Sequence, residues 1–482
     1  MSRPTSHGPG EPAVPDGDAA GGVEPDPAAP GSGEPGLRRS MGALQLLAYG
    51  LVFIGPAAAV GVWGTLDAKS GGVVPVVYLV ATLVMGLTAS SYALMSRAVP
   101  RAGSVFAYAS EGIGPRVGHM GGWMMLLDYV LIPSVAYLFS GIALHSLIPQ
   151  VPVWAFVALA VVVSTGLNLA GVRVTSRVIA VVVLVEVLVL AAVVIAGVGV
   201  LAAHGPVRGW LDPLTGGAQG LHLSLVLGAV SVAVLSYLGF DALATFAEET
   251  RGGAAAIGRA TLICLAVAGI LFVIQTYVGA LLSPLSTAQL QADPSLQGDA
   301  YYAMVDSAIG PVLHALLALA KGAGAMFSAL VGQAAASRII MDMARSGSLP
   351  RALSRVSPRT GAPVAGVLIA AAGNVVVSLW AATRGDGLDL VSSAVDVGAI
   401  TGFVLVHVSV IGYFAVRRRG GAVRPLVHVV IPLLGAGLLL AVLVSSSPLA
   451  LVVGGCWAVL GVLVLLLRGS RVTAGPGASR AD

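Results

Sequence analysis

The sequence predicts an all-α integral membrane protein of twelve transmembrane helices, and three observations lead there. Apolar residues fill 57% of the 482 positions and charged residues only 10%, with a mean hydropathy of +0.92. A surface facing water carries about a quarter of its residues as charges, so lipid must solvate most of this chain. The apolar residues also gather into twelve runs of the length that crosses a hydrocarbon core, about 20 residues. Finally, the basic residues fall in alternate connections, as they do when every second loop faces the cytoplasm.

In order, the runs cover 43–66, 73–95, 118–148, 153–169, 179–201, 223–248, 260–282, 312–343, 363–382, 390–416, 427–445 and 449–467. Arg38 and Arg39 precede the first. Arg97, Arg101 and Arg116 follow the second, Arg173 and Arg177 the fourth, and Arg251 and Arg259 the sixth. Arg345, Arg351, Arg355 and Arg359 follow the eighth, and Arg417, Arg418, Arg419 and Arg424 the tenth. The other connections hold only Lys69, Arg208 and Arg384. Both termini are therefore expected in the cytoplasm, with the chain multi-pass in the cell membrane. Residues 1–36 are rich in Pro, Gly and Ala, carry six acids and contain no apolar run, which predicts a disordered tail. They lack the basic start and apolar core of a signal peptide, so the first run is expected to direct insertion itself.

Other classes fit poorly. The net charge of +4 is spread as small groups between apolar runs, with no basic stripe for nucleic acid. Cys264 and Cys456 sit far apart in apolar runs and read as small buried apolar residues. The eight histidines show no metal-ligand spacing, and no nucleophile motif marks an enzyme. Neither a cofactor nor a metal is expected.

Two runs are interrupted at matching places. The first contains Gly55-Pro56-Ala57-Ala58-Ala59-Val60-Gly61, and the sixth contains Ser236-Tyr237-Leu238-Gly239-Phe240-Asp241. They open two possible five-run halves, and paired interruptions of that kind point to a transport site near the bilayer midplane. Unwound backbone is tolerated at that depth only against protein or a water-filled cavity. A single break would read as an ordinary Gly or Pro kink.

At these residues the chain resembles the amino acid–polyamine–organocation superfamily of permeases, from about residue 44 to 418. Pro100-Arg101-Ala102-Gly103-Ser104-Val105-Phe106-Ala107-Tyr108 is similar to the family's Pro-x-Ala-Gly-x-x-Tyr-x-Tyr segment, with Phe106 for the first Tyr. Ala344-Arg345-Ser346-Gly347-Ser348-Leu349-Pro350 is similar to its Ala-Arg-Asp-Gly-x-Leu-Pro loop, with Ser346 for Asp. Gly122-Trp123-Met124-Met125-Leu126-Leu127-Asp128-Tyr129 and the stretch from Tyr237 to Thr250 resemble the bacterial putrescine-importer-like branch. The resemblance implies a five-plus-five inverted repeat over 37–420, a peripheral helix pair over 421–468 and a cytoplasmic tail over 469–482. It implies secondary transport of an amine or amino acid, as proton-linked uptake or, alternatively, exchange. The coupling ion would be a proton or sodium, and the partners a small-molecule substrate and the bilayer.

Ionisable groups inside membrane runs are costly enough to be functional candidates by default. Asp241, just past the second break, is placed to pair with a substrate ammonium or a coupling proton, or to cap freed backbone. Asp128, beside Tyr129, either faces the path or bonds neighbouring backbone. Gly55, Pro56, Ala57, Ala58, Tyr237, Gly239 and Phe240 complete the expected substrate site. Donors remain at Ala57 to Ala59, so a substrate carboxylate is not excluded there, although Pro56 offers none. Glu186, alone in an apolar run, must be protonated or paired across helices and is the coupling candidate. Lys321, one of two lysines in the chain, is its possible partner, or else snorkels to the interface. Asp396 is placed toward the outer half, as part of a gate. Glu248 and Glu249 read as a solvated cluster with Arg251 and Arg259.

Overall fold

A computed structural model describes residues 47, 50, 51, 54–99, 104–171, 176–241, 243, 253–345, 350–357, 359, 360, 362–419 and 421–468. Both expected tails, Arg38, Arg39, Arg101, Arg173 and Arg251, the Pro100–Gly103 and Ser346–Leu349 motif segments, Glu248 and Glu249 lie outside them. The described residues are helical throughout, with short connections. In chain order the helices are α1 (Ala58–Ser70), α2 (Val74–Ala98), α3 (Ser104–Gly112), α4 (Pro115–Leu147), α5 (Val153–Leu169), α6 (Ser176–His204) and α7 (Leu223–Ala233). They continue as α8 (Gly253–Leu282), α9 (Thr287–Ala292), α10 (Ala300–Ala308), α11 (Pro311–Arg345), α12 (Val364–Ala382), α13 (Gly387–Val410), α14 (Ile431–Val444) and α15 (Pro448–Arg468). Among the described residues, nine helices are long and apolar enough to cross a membrane, and two shorter apolar helices run Val153–Leu169 and Leu223–Tyr237.

The apolar pattern sorts each helix into a face toward protein and a face toward lipid. The α6 span Ala180–His204 has a mean hydropathy of 3.1, and Leu184, Val185, Leu188 and Ile195 are exposed. Its inward stripe is Glu186, Leu190 and Val193, all buried at the helical spacing of four and three. A helix this apolar on its outer side is stable only in hydrocarbon. The one charge in that span before His204 is turned away from lipid.

Long helices meet where side chains are small, as membrane packing requires. The central helix α4 packs against α11 and α13. Gly398 and Gly402 of α13 lie against Met124, Leu127 and Met125 of α4, and Gly332 of α11 lies against Pro133. Polar side chains add interhelical bonds. Ser134 donates to Asn374 Oδ1 at 2.7 Å, Asn168 to Gln333 Oε1 at 2.7 Å, and Gln333 to Thr165 at 3.0 Å.

The last helix is held by a reciprocal clasp. Trp123 Nε1 donates to the carbonyl of Trp457, Trp457 Nε1 donates to the carbonyl of Trp123, both at 2.8 Å, and the rings stack at 4.9 Å. Trp457→Ala removes one of these bonds and the stack, a loss of about 2 kcal/mol. Thermal unfolding in detergent should show that loss, and Trp457→Phe about half of it.

One expectation needs correction. Cys264 is buried, but Cys456 on α15 is exposed. An apolar run does not bury all of its residues: on a peripheral helix, most side chains face hydrocarbon rather than protein.

Candidate functional site

Both expected breaks are present. The helical turn before Gly55 ends with Gly55 N–H bonded to Leu51 O at 2.9 Å. Gly55 then takes φ 72, a left-handed value that costs an L side chain about 1 kcal/mol or more. Pro56 and Ala57 form a turn, and α1 restarts at Ala58 with no side-chain cap. Gln275 of α8 donates to Pro56 O at 3.2 Å, satisfying a carbonyl that the break releases. The second break follows α7. A 3-10 turn over Val234–Tyr237 leads to Leu238 in extended backbone and Gly239 at φ 102. Two bonds from α2 pin this turn: Tyr78 OH to Ser236 Oγ at 2.8 Å, and Thr82 Oγ1 to Tyr237 OH at 2.6 Å.

The aromatic residues at the second break are committed to packing. Tyr237 meets Phe272 and Tyr78, while Phe240 meets Tyr92 and Phe403, with ring centroids between 5.2 and 6.3 Å apart. Tyr237 and Phe240 are fully buried, so they wall the site with their faces already covered.

Three buried carboxylates lie on the elements that meet around that wall. Asp241, next to Phe240, accepts a long hydrogen bond of 3.4 Å from Tyr129 OH on α4. Asp128, the neighbour of Tyr129, is buried, and its Oδ1 has no hydrogen-bond partner among the described residues. Asp396 of α13 is fully buried, and neither of its oxygens has one among them. Asp128 feels the charge of Asp241, and Asp396 feels that of Asp128. Carboxylates gathered out of water repel one another and favour a positive charge between them. Asp241 also borders a narrow crevice lined by Tyr92, Ala93, Ser96, Phe240, Ile257, Gly258 and Thr261, with room for about one water molecule.

Glu186 and Lys321 occupy a second buried locus. The Glu186 carboxylate rests on the backbone of Gly324, where any Cβ would overlap it. Lys321 lies one turn earlier on the same helix, its ammonium 4.6 Å from the centre of the Phe139 ring. Both groups are buried and feel each other's charge, without a direct ion pair among the described residues. The lysine is not snorkelled to an interface. Asp128, Tyr129 and Phe139 share α4, which therefore runs between the two loci.

The far end of α1 carries a clamp that the sequence did not single out. Asp67 is fully buried and accepts from Arg208 Nη1 at 2.9 Å and Thr287 Oγ1 at 2.7 Å. Arg208 also donates to Leu285 O at 2.9 Å. Beside it, Lys69 pairs with Asp389 of α13 at 2.8 Å. Removing one partner of a buried ion pair costs about 3–5 kcal/mol, so Arg208→Ala should favour conformations in which this end of α1 lifts away. Hydrogen exchange at Gly71 and Gly72, whose N–H groups bond to Asp67 O, should accelerate in that variant. Unchanged exchange would remove the clamp from the account.

Known proteins share this arrangement of sequence. Residues 43–467 match the family described as Amino acid permease. The low-affinity putrescine importer PlaP of Escherichia coli K12 is 26% identical over 443 residues, covering 89% of this chain and 93% of the importer. The branched-chain amino acid permease BcaP of Lactococcus lactis is 27% identical over 430 residues, covering 82% and 86%. The vacuolar cationic amino acid transporter 4 of Arabidopsis thaliana is 29% identical over 412 residues, covering 78% and 63%. These likenesses mark a transport protein rather than an enzyme, and the chain belongs to the amino acid permease family of the amino acid–polyamine–organocation superfamily.

Proposed function

We propose that this permease takes up organic cations, with short polyamines such as putrescine as the leading substrate class and cationic amino acids as the next. The observation that carries the reading is the group of buried carboxylates on the elements around the second helix break, with oxygens on Asp128 and Asp396 that are unpartnered among the described residues. Such a site in low dielectric favours an ammonium group, which offers N–H donors and positive charge together. The likeness to a putrescine importer and to a cationic amino acid transporter agrees with that chemistry. The likeness to a branched-chain amino acid permease is the reason neutral amino acids belong in the test.

The proposed architecture is twelve spans with both termini in the cytoplasm of a cell-membrane protein. Three of the expected runs are not among the nine long helices. The first and sixth are divided by their breaks, and the fourth, α5, has 17 residues. Counting those three with the nine gives the twelve expected from sequence. The two breaks then begin the two halves of an inverted repeat, with α14 and α15 outside it. Glu186 is the proposed proton-coupling group, held in reach of Lys321 by α6 and α11.

The test is uptake of labelled putrescine, arginine, leucine and alanine into proteoliposomes, with and without an inward proton gradient. Gradient-driven accumulation of putrescine or arginine supports the reading. Uptake that ignores the gradient and needs substrate inside the vesicle points to an exchanger. Uptake of leucine or alanine alone overturns the substrate class and returns the first break to carboxylate binding.

A further inference from the structure

We propose that Asp128 and Asp396 form a second ammonium subsite, so that a diamine binds with one end at Asp241 and the other between Asp128 and Asp396. The inference rests on the organic-cation reading above and narrows it to dications.

Its starting point is a set of unmet acceptors. Among the described residues, Asp396 is 0% exposed with both oxygens unpartnered, and Asp128 is 5% exposed with Oδ1 unpartnered. Burying an acceptor without a donor is destabilising, and more so for a charged group. Native structures keep few such groups, and each calls for an explanation. The serine one turn before Asp396, Ser392, is also buried with its hydroxyl unpartnered, so two neighbouring polar groups on one face of α13 are left open.

The elements that carry these groups meet. Gly398 brings α13 onto the backbone of Met124 and Asp128, where a Cβ would stand 2.7 Å from Met124 O and 3.4 Å from Asp128 N. Asp396 and Phe403 are seven residues apart on α13, about 10 Å along the helix at 1.5 Å per residue and on nearly the same face. Phe403 touches Phe240 with ring centroids 5.4 Å apart, and Asp241 follows Phe240 in the chain. Asp396 and Asp241 therefore stand toward opposite ends of one stretch, with Asp128 and Tyr129 alongside it on α4.

Among the described residues, the buried cations nearby are committed elsewhere. Lys69, whose charge reaches Asp396, is bonded to Asp389. Arg208 is bonded to Asp67. Lys321 lies over Phe139. Among the described residues, these cations leave the open oxygens of Asp128 and Asp396 to a donor from outside the protein. A molecule with two ammonium groups joined by a short methylene chain meets both carboxylate positions, whereas a monoamine meets one. An amino acid would bring its own carboxylate into a site that repels it.

The experiment is putrescine counterflow in proteoliposomes, inhibited by unlabelled butylamine, 1,3-diaminopropane, putrescine or cadaverine, for the wild type and for Asp396→Asn and Asp128→Asn. In the wild type, putrescine should inhibit at concentrations at least about tenfold below butylamine, equivalent to about 1.4 kcal/mol. Each variant should shrink that preference to within about threefold. Wild-type amine transport with no diamine preference, or variants that keep the preference, would overturn the subsite and leave the organic-cation reading standing. Transport of leucine and no amine would overturn both.

A second readout does not depend on the variants folding. Thermal unfolding of the detergent-solubilised wild type in choline chloride should shift upward more with putrescine than with butylamine at equal concentration. Equal shifts, or the same shift from sodium chloride alone, would assign the open carboxylates to something other than a diamine.

Discussion

Asp241→Asn should raise the half-saturating concentration for putrescine uptake by at least about thirtyfold. Removing the charged partner of a buried, hydrogen-bonded ammonium costs about 2–5 kcal/mol, and each 1.4 kcal/mol is about tenfold in affinity. The substitution keeps the shape of the side chain and its place beside Phe240, so the aromatic wall of Tyr92, Phe240 and Phe403 should stay intact. Unfolding temperature is the control: it should change little, because Asn can still accept from Tyr129 OH as Asp241 does now. Full affinity in Asp241→Asn would move the substrate site away from the second break.

Glu186→Gln should abolish accumulation against a gradient while leaving exchange of labelled for unlabelled substrate. Gln cannot release or take up a proton, so a coupling role at this position ends with it. The variant also leaves the Lys321 ammonium buried without its acidic neighbour, which destabilises the fold. Two effects would therefore be mixed. The double variant Glu186→Gln, Lys321→Met separates them: it removes both charges and should regain stability without regaining accumulation. If the double variant accumulates substrate, Glu186 is a structural partner of Lys321 and not a coupling group. Gly324→Ala gives a milder test of the same locus, because its Cβ would occupy the position of the Glu186 carboxylate.

The nine long apolar helices among the described residues and the two breaks were legible because they rest on strong, local signals. A run of about 20 apolar residues has few alternatives to a membrane helix. Gly55 and Gly239 stand where the backbone takes positive φ, and no other residue type adopts those values so readily. Asp241, Asp128, Glu186 and Lys321 were legible as candidates because charge inside an apolar run is rare. What remained hidden were the pairings, which depend on helix rotation and on partners far apart in sequence. Gln275 reads as an ordinary polar residue until α8 sets it against the carbonyl of Pro56. Asp67 and Arg208 lie 141 positions apart, and nothing in either segment announces the other. The commitment of Tyr237 and Phe240 to packing was hidden in the same way, since an aromatic at a break looks alike whether it covers a substrate or a neighbouring ring. Cys456 shows the converse case, where an apolar run revealed membrane burial without revealing which face looks at lipid.

The most direct measurement of the central claim is counterflow: vesicles loaded with unlabelled compound, labelled putrescine or labelled leucine outside, and no ion gradient. This readout separates substrate class from coupling, because exchange needs no driving ion. Putrescine-loaded vesicles should take up labelled putrescine, unlabelled leucine should fail to compete, and Asp241→Asn should lose the signal. Vesicles that exchange leucine and ignore putrescine would contradict the claim, and the buried carboxylates around the second break would then need an explanation other than binding an organic cation.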